Sequence, residues 1–109
     1  MLESLFGSIN KERVLAYLVA NPEGYARGIA SFYDTNLRNI QLQMDNLEAG
    51  GVLVSRMEGR TRLYSFNPRW PMRDELRQLL TRMLDFYPPA ERTRILGARR
   101  RPRRRGKPI

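Results

Sequence analysis

The stretch VSRMEGRTRLY, Val54 to Tyr64, decides the fold of this chain. Two short runs of β-forming residues flank Glu58-Gly59, and a Glu-Gly pair in that setting is a weaker relative of the Asn-Gly and Asp-Gly hairpin signals. We therefore predict a β-hairpin with its turn at Glu58-Gly59. Three arginines, Arg56, Arg60 and Arg62, crowd the few residues around that turn. Such a concentration of positive charge on a projecting hairpin needs a physical reason.

The hairpin is expected to run from Val52 to Phe66, followed directly by a Pro-containing break. With the predicted turn, Leu53 would lie opposite Tyr64 and next to Phe66, because side chains alternate between the two faces of a strand. These three side chains would form an apolar face, which predicts that the hairpin packs against a helical body.

Helical periodicity on both sides of the hairpin predicts four helices. Ser8 is a suitable N-cap for the first helix and Asn36 for the third. Asn21-Pro22-Glu23-Gly24 would end the first helix, and Gly50-Gly51 the third. The first predicted helix begins at Ile9. The second spans Ala26 to Tyr33, the third Leu37 to about Ala49, and the fourth roughly Met72 to Phe86. A further helical turn is expected from Glu91 to Leu96.

The composition excludes several classes of function. A chain of 109 residues suits one domain, and it contains neither cysteine nor histidine, which excludes disulfides, Cys/His zinc sites and histidine acid–base chemistry. No nucleophile or metal cluster accompanies the paired acids Asp74-Glu75, so we expect no enzymatic activity, no metal and no cofactor. The N-terminus lacks the basic region of a signal peptide, and the longest apolar run is too short to cross a bilayer. We therefore expect a cytoplasmic protein with no membrane partner.

The net charge of +9 is concentrated at one end of the chain. Seven of the 20 basic residues lie in residues 98–109, which leaves 13 basic against 11 acidic residues in the body. We expect this arginine-rich tail to be flexible and to contact nucleic acid without specificity. An alternative explanation for the many arginines of the tail is a genome rich in G and C, whose codons favour arginine. The basic tail residues are Arg99, Arg100, Arg101, Arg103, Arg104, Arg105 and Lys107.

Three helices, a tight turn between the second and third, and then a hairpin are the elements of a winged helix-turn-helix. The predicted fold class is mainly α with a small β-hairpin (α+β), in which a three-helix core carries a wing and a C-terminal helix. In that arrangement the third helix turns its polar face to the major groove, and the wing lies alongside it. We place this domain at residues 1–87 and the basic tail at 88–109.

A resemblance to a known family supports this interpretation. The run MDNLEAGGVLVSRMEGRTRLYSFNP resembles winged-helix regulators of the ArsR and MarR type, and it is especially similar to small stand-alone winged-helix proteins associated with nucleotidyltransferases. The segment GSINKERVLAYLVANPEGYARGIA resembles their first two helices. The resemblance covers roughly residues 5–85 and implies a three-helix core with a wing, sequence-specific binding to double-stranded DNA, and usually a homodimer. We therefore expect a transcriptional regulator that is cytoplasmic and nucleoid-associated.

The resemblance and the residue chemistry together predict two kinds of DNA contact. Amide, guanidinium and aliphatic side chains of the third helix would read base edges, and the wing tip would contact phosphates. The predicted base-reading residues are Arg38, Asn39, Gln41, Leu42 and Asn46. The predicted phosphate-binding residues are Arg56, Arg60, Thr61 and Arg62. The alternative for Arg56, Arg60 and Arg62 is a solvated hairpin tip whose charge prevents edge-to-edge aggregation.

The fourth helix carries more apolar residues than one small core can cover, which predicts a homodimer interface. The predicted interface residues are Met72, Leu76, Leu79, Leu80, Met83 and Leu84. Two alternatives to a DNA-binding regulator remain open. Acidic Asp45 and Glu48 and apolar Leu42 on the third helix also suit a module that pairs with another protein, such as a nucleotidyltransferase. The arginine tail alone would suit a non-specific nucleic-acid binder.

Overall fold

The computed structural model describes residues 1–98. Their order is three helices after a short N-terminal turn of helix, then two strands, then two more helices. The elements are α1 Glu3–Phe6, α2 Ile9–Ala20, α3 Ala26–Phe32, α4 Leu37–Ala49, β1 Leu53–Glu58, β2 Thr61–Phe66, α5 Arg73–Asp85 and α6 Pro89–Gly97.

The helices begin at the capping residues that the sequence indicates. The Ser8 side chain accepts hydrogen bonds from the backbone N–H groups of Asn10 and Lys11 at 3.1 and 3.2 Å, and α2 starts there. Asn36 accepts one from the backbone of Asn39 at 3.2 Å and starts α4. The turn between α3 and α4 contains Asp34 in the left-handed region, at φ 51°, where a short polar side chain is tolerated.

One apolar core joins α2, α3, α4, the hairpin and α5. Val14, Ile29 and Ile40, one from each helix of the three-helix body, are fully buried. The hairpin adds Leu53 and Tyr64 to the same core. Because every one of these elements has one apolar side, the packing leaves the opposite side of α4 open to solvent.

The hairpin turn lies one residue later than predicted. Glu58 pairs with Thr61, so Gly59 and Arg60 form the loop, and Leu53 pairs with Phe66 rather than with Tyr64. Gly59 has φ 62°, which suits the first loop position of a type II′ turn and explains why the glycine opens the loop. The core face is still correct, because the shift moves the pairing by two residues and side-chain direction repeats every two.

The loop between α2 and α3 pairs with the free edge of strand β2. The backbone of Gly24 makes an isolated antiparallel bridge to Tyr64, with N–H to O distances of 3.0 and 2.8 Å. A Cβ on Gly24 would lie 2.9 Å from Cε1 of Tyr17 and 3.1 Å from Cδ1 of Ile29. The loop therefore approaches closely enough to hold the wing only because this residue is glycine.

The domain extends beyond the predicted boundary at residue 87. Helix α6 packs on α2 through Ile95, which is 1% exposed, and Asn21 donates to the Ile95 carbonyl at 3.4 Å. The Arg94 guanidinium lies 3.8 Å above the ring of Phe32 and donates to its carbonyl oxygen. The segment from residue 89 to Ala98 is therefore part of the fold, and the seven basic tail residues lie outside the described part of the chain.

A buried carboxylate joins the two ends of the domain. Glu12 is 2% exposed, and its side chain accepts hydrogen bonds from the backbone N–H of Leu2 at 2.7 Å and from the Tyr87 hydroxyl at 2.5 Å. Burial and this carboxylate raise the pKa of the Tyr87 phenol, which keeps it protonated as a donor. The pair ties α2 to the segment that leads into α6.

The architecture confirms the predicted fold class, a winged helix-turn-helix with a C-terminal helical extension. Within residues 1–98, no helix combines the length and apolar character needed to span a membrane.

Candidate nucleic-acid interface

The solvent side of α4 presents most of the predicted base-reading residues. Ile40 and Met44 face the core, and Arg38, Asn39, Leu42 and Asn46 are all exposed on the other side of the helix. Leu42 is the most exposed apolar residue of α4, at 61%. An exposed leucine amid polar side chains is a feature that suits contact with another surface.

Gln41 differs from the other predicted base-reading residues, because its amide is hydrogen-bonded to two other side chains of the protein. Its Nε2 donates to Asp45 Oδ1 at 2.9 Å and to the Tyr64 hydroxyl at 3.1 Å, and that hydroxyl donates to the same Asp45 oxygen at 3.3 Å. We call Gln41, Asp45 and Tyr64 the amide triangle. Burial, and secondarily Asp45, raises the pKa of the Tyr64 phenol despite the opposing Gln41 hydrogen bond, so the phenol stays a donor. The triangle connects α4 to the wing.

The far side of α4 carries a cation that the sequence analysis missed. Asn46 accepts a hydrogen bond from Lys11 Nζ at 3.0 Å, so α2 places a positive charge beside the C-terminal half of α4. Lys11 and Asn46 are 35 residues apart in sequence, and only the packing of α2 against α4 brings them together.

The wing arginines divide into two groups. Arg56 lies on the outer face of the hairpin and forms ion pairs with Glu23, at 2.9 Å, and with Glu58. Arg62 lies on the inner face, where it donates to Ser55 Oγ at 3.0 Å, and Ser55 in turn donates to Glu48 at 2.6 Å. Arg60, in the loop, makes no ion pair or side-chain hydrogen bond with residues 1–98. Arg60 and Arg62, rather than Arg56, therefore face the α4 side with charge available to a ligand.

A cleft of about 360 Å³ separates the wing from the N-terminal half of α4, and we call it the wing cleft. Three arginines line it, Arg27, Arg60 and Arg62, and no carboxylate does. It is lined by Tyr25, Ala26, Arg27, Leu37, Gln41, Arg60, Thr61, Arg62 and Tyr64. A groove with three guanidinium groups and three hydroxyl-bearing side chains in its wall is suited to an anion of phosphate type.

Arg27 and Tyr25 are the cleft residues that sequence reasoning missed. Tyr25 precedes α3 and Arg27 lies in its first turn. The sequence indicated this short helix only by the spacing of its apolar residues, and a single arginine there is typical of solvated surface. The bridge between Gly24 and Tyr64 places them beside the wing tip. The weak signal in the sequence was the position of Arg27 at the start of the first helix of the helix-turn-helix pair.

The predicted dimer residues do not form one surface. Leu80, Met83 and Leu84 are at most 5% exposed, because α5 packs this side against α2, so they belong to the core of the single chain. Met72 and Leu79 remain exposed, at 58% and 41%, and Phe86 at the end of the helix is 59% exposed. These three, spaced by seven residues, form what we call the α5 stripe, and Leu76 is half-buried beside it. Leu80, Met83 and Leu84 were predicted as homodimer interface residues, and the structure instead buries them within the single chain.

No cluster of three or more acidic side chains suited to a metal ion occurs in the described part of the chain.

Known proteins match this chain in structure but not in sequence. No protein-family model matches the sequence, and no curated protein matches it. The crystal structure of the YusO protein from Bacillus subtilis is similar, with a TM-score of 0.57 and 20% identity, over 84% of this chain and 72% of that one. The crystal structure of a MarR-family transcriptional regulator from Silicibacter pomeroyi is similar with a TM-score of 0.59 and 19% identity, over 99% of this chain and 79% of that one. At these identities the likeness establishes the shared fold.

Proposed function

We propose that the protein is a DNA-binding transcriptional regulator that inserts α4 into the major groove. The observation that carries this proposal is the wing cleft, in which three arginines and no carboxylate lie directly beside the exposed polar face of α4. The likeness to a solved MarR-family transcriptional regulator supports it. Such a protein would act in the cytoplasm, at the nucleoid.

The wing cleft would hold one phosphate strand of the duplex. Arg60 and Thr61 would approach it from the wing, and Arg27 from the start of α3. A guanidinium binds phosphate through several N–H donors at once, and each neutralised phosphate releases counterions. These contacts would position α4 without reading sequence.

Base reading would fall to the exposed centre of α4. The guanidinium of Arg38 suits the O6 and N7 acceptors of guanine, and the amide of Asn39 suits adenine. Leu42 has no polar atom, and its exposed methyl groups suit the methyl group of thymine. Lys11 beside Asn46 would contribute a phosphate contact on the side of α4 opposite to the wing.

Two copies would bind together through the α5 stripe. Met72, Leu79 and Phe86 cover about 21 Å of helix, at 1.5 Å per residue, and a seven-residue spacing is that of a helix-to-helix seam. A symmetric pair would place two α4 helices in successive major grooves, about 34–36 Å apart, on a palindromic site.

The experiment is a salt titration of binding to a selected duplex and to a random duplex, followed by fluorescence anisotropy. Arg27→Ala, Arg60→Ala and Arg62→Ala should each weaken binding to both duplexes and lower the slope of log affinity against log salt by roughly 0.9. Arg92→Ala removes an exposed arginine of α6, distant from the cleft, and should leave the slope unchanged. Equal slopes for all four variants and the parent would contradict the proposal.

An interaction module is the second candidate, and the exposure of Leu42 together with Asp45 and Glu48 on α4 favours it. In that case α4 would contact a protein, for example a nucleotidyltransferase, and the parent would bind duplexes only through its basic tail. Deleting residues 99–109 separates the two. A regulator would lose affinity for all sequences yet keep its preference for the selected site, whereas a tail-only binder would lose all DNA binding.

A further inference from the structure

The amide triangle leaves Gln41 with acceptor atoms alone to offer a ligand. The Asp45 side chain accepts the hydrogen bonds of the triangle through Oδ1, so the amide of Gln41 turns its NH2 group toward it. One N–H of Gln41 bonds Asp45 and the other bonds the Tyr64 hydroxyl, at 2.9 and 3.1 Å. Oε1 of Gln41 and Oδ2 of Asp45 accept no hydrogen bond from residues 1–98, and both are acceptors.

Tyr64 makes this arrangement rigid. Tyr64 is 1% exposed. At this position β2 is paired on both edges, with Ser55 of β1 on one side and with Gly24 on the other. The hydroxyl is therefore held at a fixed position next to α4. Turning the amide over would replace the hydrogen bond to Asp45 with a contact between two acceptor oxygens.

The consequence for base recognition follows from the edges of the bases. A free glutamine pairs with adenine by accepting from N6 and donating to N7, and Gln41 has no N–H left to donate. Guanine and thymine present the acceptors O6, N7 and O4, which acceptor atoms on the protein would repel. Cytosine presents its N4 amino group, whose one free N–H in the base pair is a donor that a carboxylate or amide oxygen can accept, and its own major-groove edge carries no acceptor beside N4.

We propose that Gln41 and Asp45 select cytosine in the bound site, with Tyr64 as the positioning residue that denies Gln41 the pairing with adenine. This inference rests on the proposed DNA binding and names the base class that one flank of α4 would read.

The test is selection of binding sites from a random duplex library, carried out with the full chain and with variants. The parent should enrich cytosine at one or two adjacent positions. Tyr64→Phe keeps the buried ring but frees one N–H of Gln41, so adenine should gain about tenfold over cytosine at that position. Asp45→Asn introduces an N–H donor and should remove the discrimination against guanine. Tyr17→Phe and Asp74→Asn are the matched controls, and both should return the parent site.

The outcomes separate this inference from the proposed function. If the parent enriches a site and Tyr64→Phe and Asp45→Asn enrich the same one, DNA binding stands and the cytosine inference is wrong. Gln41→Ala identifies the positions of the site whose base preference depends on Gln41. If the parent enriches cytosine at none of those positions, the cytosine inference is equally wrong. A parent that binds no duplex at all would overturn the proposed function, and the inference with it. Urea unfolding of each variant verifies that a changed site does not reflect a lost fold.

Discussion

Gly24 is a single residue on which the position of the wing depends. Its backbone bonds Tyr64 in the middle of β2, and the ring of Tyr17 covers the place that a side chain would occupy. The residue has no left-handed conformation, so the requirement for glycine is one of space alone. Close approach of two backbones thus connects a loop of the helical body to the hairpin.

Gly24→Ala should destabilise the protein by about 1–3 kcal/mol, because the added Cβ must displace the Tyr17 ring in a packed core. Gly97→Ala is the control, since nothing lies within 4 Å of its added Cβ and alanine favours the α6 helix. Urea unfolding followed by circular dichroism gives both values. A Gly24→Ala protein as stable as the parent would show that the loop does not pack against Tyr17 as described.

Among the elements, α5 has two different sides. Leu80, Met83 and Leu84 stabilise the single chain, whereas the α5 stripe stays exposed within residues 1–98, with Arg82 over the ring of Phe86. A substitution that tests the dimer must therefore avoid the buried side, where a charge would unfold the domain instead.

Met72→Glu combined with Leu79→Glu should convert a dimer into a folded monomer, because two carboxylates would be desolvated in the seam between copies. Gln78→Glu adds a charge on a neighbouring exposed position and should leave the dimer intact. Sedimentation velocity at micromolar concentration distinguishes the two species. A parent that already sediments as a monomer would refute the proposed interface.

The elements were predictable where their signals are local. The bounds of α4 follow from the Asn36 cap and an unbroken apolar stripe, and they match the structure. The hairpin was predicted but its turn was placed one residue early, because Glu58-Gly59 and Gly59-Arg60 both supply a glycine and either register preserves the core face. The extent of α6 was underestimated, since its contact with α2 spans 74 residues of sequence. The amide triangle and the wing cleft depend on such tertiary contacts too, and local patterns do not reveal them.

At the scale of the whole molecule, protonated tyrosines connect stability to pH. Burial raises the pKa of Tyr33 and of Tyr87 above the ordinary value of 10.0. In the folded state these groups keep their protons at a pH where the unfolded chain has lost them. Their contribution to the free energy of unfolding is therefore complete below pH 10 and is lost as the pH rises above it.

The free energy of unfolding should fall by roughly 1.4 kcal/mol for each such tyrosine and each pH unit above about 10. Tyr33→Phe should flatten this decline at no cost at pH 8, because the buried Tyr33 hydroxyl has no hydrogen-bond partner among the described residues. Urea unfolding at pH 8, 10 and 11 measures both effects. Stability that is constant up to pH 11 would be inconsistent with the burial of these phenols.

Nuclear magnetic resonance can show whether α4 and the wing cleft together contact DNA, as we propose, and a chain of 12.8 kDa is well suited to it. Amide resonances would be followed while a duplex of the selected sequence is added. If α4 and the wing cleft contact the duplex, the largest shifts should occur at Arg38 to Leu42, at Arg27 and at Gly59 to Arg62. Shifts confined to α5 and α6, with α4 and the wing unchanged, would contradict it.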